Sequence, residues 1–463
     1  MTITPARSRT QTPRRKRHRV PSPGRHAISL LPEAAPEPDP AAPAEPRSPH
    51  APEARSAHAP EEGALQAPED GGPRSRRAPA RRTCLRSALL RCALYLGPIS
   101  VAVAAAGPLS RVAWPVPIVT LLLGWSAAQT LTSVGAAVAR RAGPSAAARL
   151  VGCGFAAVAA LWAALVWIAP AALAGPERGL ALVIGLGGLA GLATVTAAVV
   201  TRSEAAVIGW SLPCWLLGAA TLAGLAGYPI GGRLPIGTLL PAAIVVATVR
   251  AFRPVVIPGL CGRMPRPART ELRRGGTFLV IGASQAICVG LLWQAGPSGP
   301  TMPFWLPLLL AVPILEALIG WHTDQVDAGL DTAENQAAYK KHVRGVTLIT
   351  LAGLLPPLAV GVALALAAYR LAAESAARAD VLGLAGGTLL GGVFAVTFLL
   401  AARGRPGLAA GLAAAPPVAM ATLPLLPLPA AGALPDGVAV LAATHLAGLL
   451  AVALTPAADR RTP

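Results

Sequence analysis

Long apolar runs follow one another through most of this sequence, and they restrict its fold more than any other feature. From Ser87 onward, runs of about 17 to 27 apolar residues alternate with short polar breaks, and a helix of about 20 residues crosses the hydrocarbon core of a bilayer. The pattern predicts an all-α, polytopic integral membrane protein with about 12 transmembrane helices. The predicted spans are 87–107, 112–139, 149–174, 180–200, 205–227, 234–250, 276–296, 303–321, 345–368, 380–402, 408–428 and 437–455.

The composition agrees with a membrane protein, because 54% of the 463 residues are apolar and only 13% are charged. The formal net charge of +19 could suggest nucleic acid binding. However, the arginines lie in the N-terminal tail and between apolar runs, where anionic lipid head groups are the natural counter-ions. We therefore expect membrane lipids, and no nucleic acid, as partners. The six cysteines have no C-x-x-C spacing, so we expect no zinc site, no disulfide framework, and neither metal nor cofactor.

The charged breaks predict how the helices are oriented. Breaks on the side of the N-terminus carry 18 Lys or Arg residues, whereas the breaks on the opposite side carry 5. Because loops rich in Lys and Arg stay in the cytoplasm, this asymmetry predicts a multi-pass protein of the cytoplasmic membrane with both termini inside the cell.

The most basic break is Arg250–Arg274, which carries seven arginines and four prolines. It is either an ordinary cytoplasmic loop or the joint between two six-helix halves. In the second case the halves are residues 83–250 and 276–463, with a basic joint at 251–275. The fourth run of each half repeats a spacing of small residues that lets helices approach closely in lipid, which supports a 6+6 arrangement. These residues are Gly187 and Gly191 in the first half, and Gly383, Gly387 and Gly391 in the second.

Residues 1–82 contain no apolar run that is long enough to pack. The first 25 residues hold eight Arg or Lys and no acid, and a Pro, Ala and Glu-rich stretch follows. Such a composition cannot bury enough apolar surface to offset the entropy of ordering, so a disordered cytoplasmic tail is expected.

The sequence offers little that suggests catalysis. The breaks on the outer side are about 4 to 15 residues long, too short for a catalytic domain, and no G-x-x-x-x-G-K-[ST] phosphate-binding loop occurs. We therefore expect no enzymatic activity and no catalytic residue.

The second and third runs, LLLGWSAAQTLTSVGAAVARRAGPSAAARLVGCGFAAVAALWAALVWIAP, resemble the multidrug/oligosaccharidyl-lipid/polysaccharide flippase superfamily. The segment LLLAVPILEALIGWHTDQVDAGLDTAENQAAYKKHVRGVTLITLAG is similar to the helix and cytoplasmic arm of the Pel-type exopolysaccharide export membrane component. The resemblance implies a twelve-helix carrier that moves a polysaccharide or a lipid-linked saccharide by alternating access. A cytoplasmic glycosyltransferase, or another polysaccharide synthesis protein, is the partner that it implies.

Two other functions are compatible with the same pattern. A major facilitator carrier for small molecules typically has Gly-x-x-x-Asp-Arg-x-Gly-Arg-Arg between its second and third helices. Here Ala139 stands at the Asp position and Ala142 at the Gly position, so this alternative ranks second. A non-transporting scaffold for a polysaccharide synthase is the third possibility, because few charges lie within the apolar runs.

Polar residues inside apolar runs are the candidates for a substrate or proton site, since ionisable groups in a bilayer are costly and usually face a cavity or a partner. They are Glu316, His445, Gln129 and Gln285. For each residue the alternative is a packing role, such as a carboxylate paired at the interface, a hydrogen-bonded histidine or a glutamine that holds a neighbouring helix.

Glu316 is the strongest of these candidates. A charged acid near the centre of a membrane helix costs about 2.5 to 3.5 kcal/mol, which packing alone does not explain. The preceding Pro303, Pro307 and Pro313 can bend the helix and free backbone carbonyls. We therefore expect Glu316 to face the interface of the two halves and to bind a transported proton or a cargo hydroxyl.

The segment 322–344 has a mixed-charge sequence, HTDQVDAGLDTAENQAAYKKHVR, that predicts a helical cytoplasmic arm. Its acids recur at spacings of three and four and would form one stripe, which is either a solvated helix face or a docking surface for a cytoplasmic partner. Metal binding is disfavoured, because His322 and Asp324 would point to different sides of a helix. The docking candidates are Asp324, Asp327, Asp331, Glu334, Lys340 and Lys341.

Overall fold

The computed structural model describes residues 77–228, 234–256, 266–295, 306–373, 375–425 and 432–455. The predicted tail therefore lies outside the described residues up to position 76, and the first helix begins at Arg77. Residues 257–265 of the predicted joint also lie outside them.

The described residues form helices and no strand, which confirms the predicted all-α membrane fold. Each of the twelve predicted spans has a corresponding helix, and in the described part of the chain three short α-helices lie between these long ones. Nine of the described helices are long and apolar enough to cross a membrane. The helices are α1 (Arg77–Ala104), α2 (Ala106–Arg111), α3 (Pro115–Ala142), α4 (Pro144–Ile168), α5 (Ala171–Ala174), α6 (Arg178–Thr201), α7 (Glu204–Leu225), α8 (Ile236–Ala251), α9 (Arg253–Val256), α10 (Arg269–Gln294), α11 (Leu306–Thr332), α12 (Gln336–Ala368), α13 (Ala376–Ala402), α14 (Pro406–Thr422) and α15 (Ala433–Leu454).

Proline and glycine set several of the helix ends. Proline is the first residue of α3, α4 and α14, where its missing N–H costs no intrahelical hydrogen bond. Gly143 ends α3 with a φ of 86°, a conformation that suits glycine, and α4 follows at once. The predicted span 149–174 is divided, because α4 ends at Ile168 just before Pro170.

The two sets of six long helices pack in the same pattern, which confirms the predicted 6+6 arrangement. In the first half α1 packs on α7, while α3, α4 and α6 pack on one another. In the second half α10 packs on α14, while α11, α12 and α13 pack on one another. The halves meet through α3 against α10 and α1 against α11. Each of these two contacts joins the first helix of one half to the second helix of the other, as a pseudo-twofold relation requires.

A face of α10 that carries small residues allows the close contact with α3. A Cβ atom built on Gly282 would lie 2.9 Å from the Ser126 Cα atom, so the backbones of the two helices nearly touch there. Gly275 and Gly290, about two helical turns away on either side, are similarly close to side chains of α3. Close backbone approach through small residues is the usual way in which membrane helices pack.

An ion pair joins α3 and α10 where the sequence predicts the cytoplasmic side. The Arg141 guanidinium lies 3.1 Å from the Glu271 carboxylate, which also accepts a 2.8 Å hydrogen bond from the Ala268 backbone N–H. Glu271 therefore caps the first turn of α10 and contacts the last turn of α3 at the same time.

The glycine repeats in the fourth span of each half differ in how closely a neighbouring helix approaches them. A Cβ atom on Gly391 would lie 2.8 Å from the Ala311 Cα atom, so α13 approaches α11 closely. Gly187 and Gly191 face side chains of Ile244 and Pro98 at 3.6 and 4.0 Å, which is ordinary van der Waals contact. The shared spacing therefore reflects a close helix crossing in the second half only.

The predicted cytoplasmic arm is a helical hairpin rather than one helix. Helix α11 continues to Thr332, and the Asn335 side chain starts α12 by accepting a 2.8 Å hydrogen bond from the Ala338 N–H. Glu334 lies in the turn, so the expected acidic stripe does not continue to it. The His342 ring packs against Gly329 and its Nε2 atom is 2.9 Å from the Gln325 carbonyl oxygen, which holds the two helices together.

Candidate functional site

Glu316 lies where the two halves meet through α1 and α11. Its side chain is buried, and its carboxylate accepts a hydrogen bond from the Tyr95 hydroxyl of α1. The Arg91 guanidinium and the Glu204 carboxylate also act on its charge. A buried carboxyl group therefore lies at the contact between the halves, with Tyr95 as its hydrogen-bond donor.

Trp125 on α3 connects this position with the other contact between the halves. Its indole N–H donates a 2.8 Å hydrogen bond to the Gln285 side-chain oxygen of α10. Its ring also packs against Tyr95, with ring centroids 6.4 Å apart and planes tilted by 56°. We call the connected side chains Glu316, Tyr95, Trp125 and Gln285 the junction network. Its outer members belong to the second half and its two aromatic members to the first.

The junction network borders a cavity of about 130 Å³ within the first half. The cavity lies between α1, α3 and α6, with Val312 of α11 at its margin, and Tyr95 and Trp125 contribute to its wall. Val312 is one helical turn before Glu316 on α11, and Tyr95 both lines the cavity and donates a hydrogen bond to the Glu316 carboxylate. An apolar cavity of about 150 Å³ in another protein binds benzene, so this one is large enough for about one aromatic ring.

The lining of the cavity has little free hydrogen-bonding capacity. The Thr120 hydroxyl donates to the Val116 carbonyl oxygen at 2.8 Å, and the Trp125 N–H is engaged by Gln285. The remaining lining is mainly aliphatic side chains, proline and glycine. The cavity therefore suits an apolar group better than one rich in hydroxyls.

The two predicted glutamines lie in the contact between the halves rather than in the cavity lining. Gln285 is buried and accepts the hydrogen bond from Trp125. Gln129 is half-buried, and its Cγ atom would lie 3.1 Å from a Cβ atom on Gly282. Their contacts agree with the alternative in which a glutamine holds a neighbouring helix.

His445 lies away from the junction network, between α15 and α13. Its side chain is fully buried, and neither ring nitrogen has a hydrogen-bond partner among the described residues. The absence of a side chain at Gly392 makes room for the imidazole. In the first half, Thr194 and Thr248 occupy the corresponding helix positions, and their hydroxyl oxygens are 3.0 Å apart. Among the described residues, a side-chain hydrogen bond therefore joins α6 to α8 at this position, whereas the corresponding position between α13 and α15 has none.

The docking candidates of the arm are mostly accessible. Asp327, Glu334, Lys340 and Lys341 are exposed and Asp324 is half-buried, while the side chain of Asp331 is not among those that the structure describes. None of the five candidates with a described side chain borders the cavity. Nothing in the described part of the chain groups three or more His, Cys, Asp or Glu side chains as a metal site would need.

Sequence reasoning missed Arg91, Tyr95 and Trp125. Arg91 lies inside the predicted span 87–107 and could have been found by the criterion that selected Glu316, namely a charge within an apolar run. An aromatic residue in such a run normally indicates packing, so no sequence signal distinguishes Tyr95 and Trp125 from their neighbours.

Comparisons with known proteins agree with this architecture. The sequence matches no family model and no curated protein sequence. A solved structure described as the outward-facing conformation of a multidrug resistance MATE family transporter of the MOP superfamily has a TM-score of 0.51 and 13% identity, over 81% of this chain and 94% of that chain. A MATE structure in the straight conformation has a TM-score of 0.49 and 12% identity, over 81% of this chain and 94% of that chain. The first similarity establishes the fold alone: this multi-pass membrane chain has the fold of MATE family transporters of the MOP superfamily.

Proposed function

We propose that the chain is a membrane transporter that exports amphipathic cations in exchange for protons, by alternating access between its two halves. The observation that carries the proposal is the placement of Glu316, a buried carboxyl group that lies between the halves and one helical turn beyond the wall of an apolar cavity. The multidrug transporter with the same fold supports the transporter class.

The charge and lining of the site support an amphipathic cation as cargo. Burying a cation in a membrane requires an opposite charge nearby. Glu316 places a buried carboxyl group at the contact between the halves, and the neighbouring cavity accommodates an apolar body. A molecule with one aromatic ring and a positive group would match both features.

Exchange for a proton follows from the same carboxyl group. A buried carboxylate without a cation is stabilised by taking up a proton, because the neutral form costs much less to bury. A cationic cargo and a proton then exclude each other at Glu316. Entry of a proton would release the cargo, and loss of the proton would restore the site.

A polysaccharide or lipid-linked saccharide, the cargo implied by the Pel-type resemblance, stays a prediction. Saccharides are bound through many hydroxyl hydrogen bonds, which the cavity lining offers in small number. Docking of a glycosyltransferase to the arm and a scaffold role without transport likewise stay predictions.

We also propose that both termini and the joint are cytoplasmic, as the distribution of Lys and Arg predicts. A reporter that is active only outside the cytoplasm should give no signal when it is inserted after Arg274 or in the turn at Glu334. The same reporter inserted at Gly175, between α5 and α6, should be active. Signal after Arg274 would contradict the proposed orientation.

Replacing Glu316 with glutamine should lower cation transport at least about tenfold, because the side chain keeps its shape but can neither balance a cation nor carry a proton. The measurement is uptake of a radiolabelled benzyl trimethylammonium ion, which has one aromatic ring and a fixed positive charge, into proteoliposomes that carry the full chain, driven by a pH gradient. Glu177→Gln is the matched control, since Glu177 forms an exposed ion pair with Arg111 that contributes little. Wild-type uptake by Glu316→Gln, at equal protein incorporation, would refute the proposed site.

A further inference from the structure

Tyr95 is shared between the cavity and the carboxyl group. Its side chain lines the cavity, while its hydroxyl donates to Glu316 on the other half of the protein. The ring is further held by Trp125, which is itself tied to Gln285. Tyr95 therefore contacts both the cavity and the carboxyl group.

The strength of the Tyr95–Glu316 hydrogen bond depends on the charge of the acceptor. A hydrogen bond to an ionised carboxylate is roughly twice as strong as one between neutral groups. The other charged or titratable described groups facing Glu316 are Arg91 and Cys92 on α1 and Glu204 on α7. None of these three borders the cavity, whereas Tyr95 both lines the cavity and forms a hydrogen bond with the carboxyl group.

We propose that Tyr95 is the positioning residue that couples occupancy of the cavity to the protonation of Glu316, a role that rests on the proton exchange proposed above. With Glu316 ionised, the hydrogen bond holds the Tyr95 ring in the cavity wall and keeps the cavity open. Protonation of Glu316 weakens that bond and lets the ring turn into the cavity. Binding of an aromatic group in the cavity and protonation of Glu316 then disfavour each other through the position of the Tyr95 ring, in addition to any direct charge effect.

A neutral ligand separates this contact from direct electrostatics. Fluorobenzene carries no charge, so its binding can respond to Glu316 only through the shape of the cavity. A para-fluorobenzyl trimethylammonium ion has the same ring and a positive charge that acts on Glu316 directly. Both probes can be titrated by fluorine NMR against the full chain in lipid nanodiscs, with empty nanodiscs as the partition control.

In the wild type, the affinity for fluorobenzene should fall about tenfold from about pH 8 to about pH 5, as expected when a charge-assisted hydrogen bond becomes a neutral one. Tyr95→Phe keeps the ring but lacks the hydroxyl, so its fluorobenzene affinity should change less than about twofold over that range. The cationic probe should keep its pH dependence in Tyr95→Phe. Tyr228→Phe, the same change at an exposed tyrosine, should behave as the wild type. If Tyr95→Phe is not recovered folded, Tyr95→Met should give the same result.

The inference is overturned if fluorobenzene binding is independent of pH in the wild type, or stays fully dependent on pH in Tyr95→Phe. Loss of pH dependence for both probes in Tyr95→Phe would also overturn it, because the substitution would then have disturbed Glu316 itself. Normal transport by Glu316→Gln refutes the proposed function instead, so the two failures are distinguishable.

Discussion

Replacing Gly282 with leucine is expected to prevent the two halves from assembling and to abolish transport. A Cβ atom at this position would lie 2.9 Å from the Ser126 Cα atom and 3.1 Å from the Trp125 carbonyl oxygen, which are backbone atoms that cannot turn away. Overpacking a tight contact costs about 1 to 3 kcal/mol and sometimes more, and leucine adds three further carbon atoms to that Cβ. Separation of α3 from α10 would also break the Trp125–Gln285 hydrogen bond.

Gly276→Leu is the matched control for this prediction. Gly276 lies on the same helix, is exposed, and would have no atom within 4 Å of an added Cβ atom. Both variants should insert into the membrane, because insertion depends on the apolar runs. Gly282→Leu should then lose the thermal unfolding transition of the purified protein, whereas Gly276→Leu should keep it. An unchanged unfolding midpoint for Gly282→Leu would mean that α3 and α10 are not tightly packed.

Replacing Gly392 with alanine is expected to destabilise the second half by about 1 to 3 kcal/mol. An added Cβ atom would overlap the Cε1 atom of the His445 ring, and the ring is fully buried. Both ring nitrogens lack partners among the described residues, so packing rather than a hydrogen bond holds the imidazole in place, and the expected cost is that of the overlap. The unfolding midpoint of the purified protein should fall.

The double variant Gly392→Ala/His445→Ala tests the cause. Removal of the ring should relieve the overlap, so the second substitution should cost less in the Gly392→Ala background than in the wild type. Additive effects of the two substitutions would show that the glycine is required for another reason. Transport by His445→Ala at normal expression would in addition assign His445 to packing rather than to proton binding.

The candidate site predicted from the sequence and the candidate site built from the structure share Glu316 and differ in the residues around it. A carboxylate in the run PFWLPLLLAVPILEALIGW is unusual enough to be found from sequence, since membrane burial of a charge is costly. Its partner Tyr95 is an ordinary aromatic residue of the first apolar run. The two become neighbours because α1 of one half crosses α11 of the other, and a sequence pattern does not report which helices cross.

For Gln285 and for the arm, the sequence pattern predicted a feature that the tertiary contacts replace with another. Gln285 is a candidate for a cargo site by sequence because a polar residue stands out in an apolar run, yet its amide oxygen is engaged by an indole 160 residues away in the chain. In the arm, the spacing of acids predicts one helix through Glu334. The local hydrogen bond from the Ala338 N–H to Asn335 instead ends one helix and starts the next.

The sequence by itself determined that the chain is a membrane protein, and its apolar runs predicted the number and approximate positions of the long helices that the structure describes. These properties depend on runs of apolar residues and on local breaks, and the hydrocarbon core imposes one helix length on every run. The tertiary structure alone decided which helices of the two halves touch, that Gly282 and Gly392 mark tight contacts, and that Tyr95 joins an apolar cavity to Glu316. The physical reason is that helices in lipid associate through close packing and a few hydrogen bonds, and these contacts join residues far apart in sequence whose composition resembles that of the lipid-facing surface.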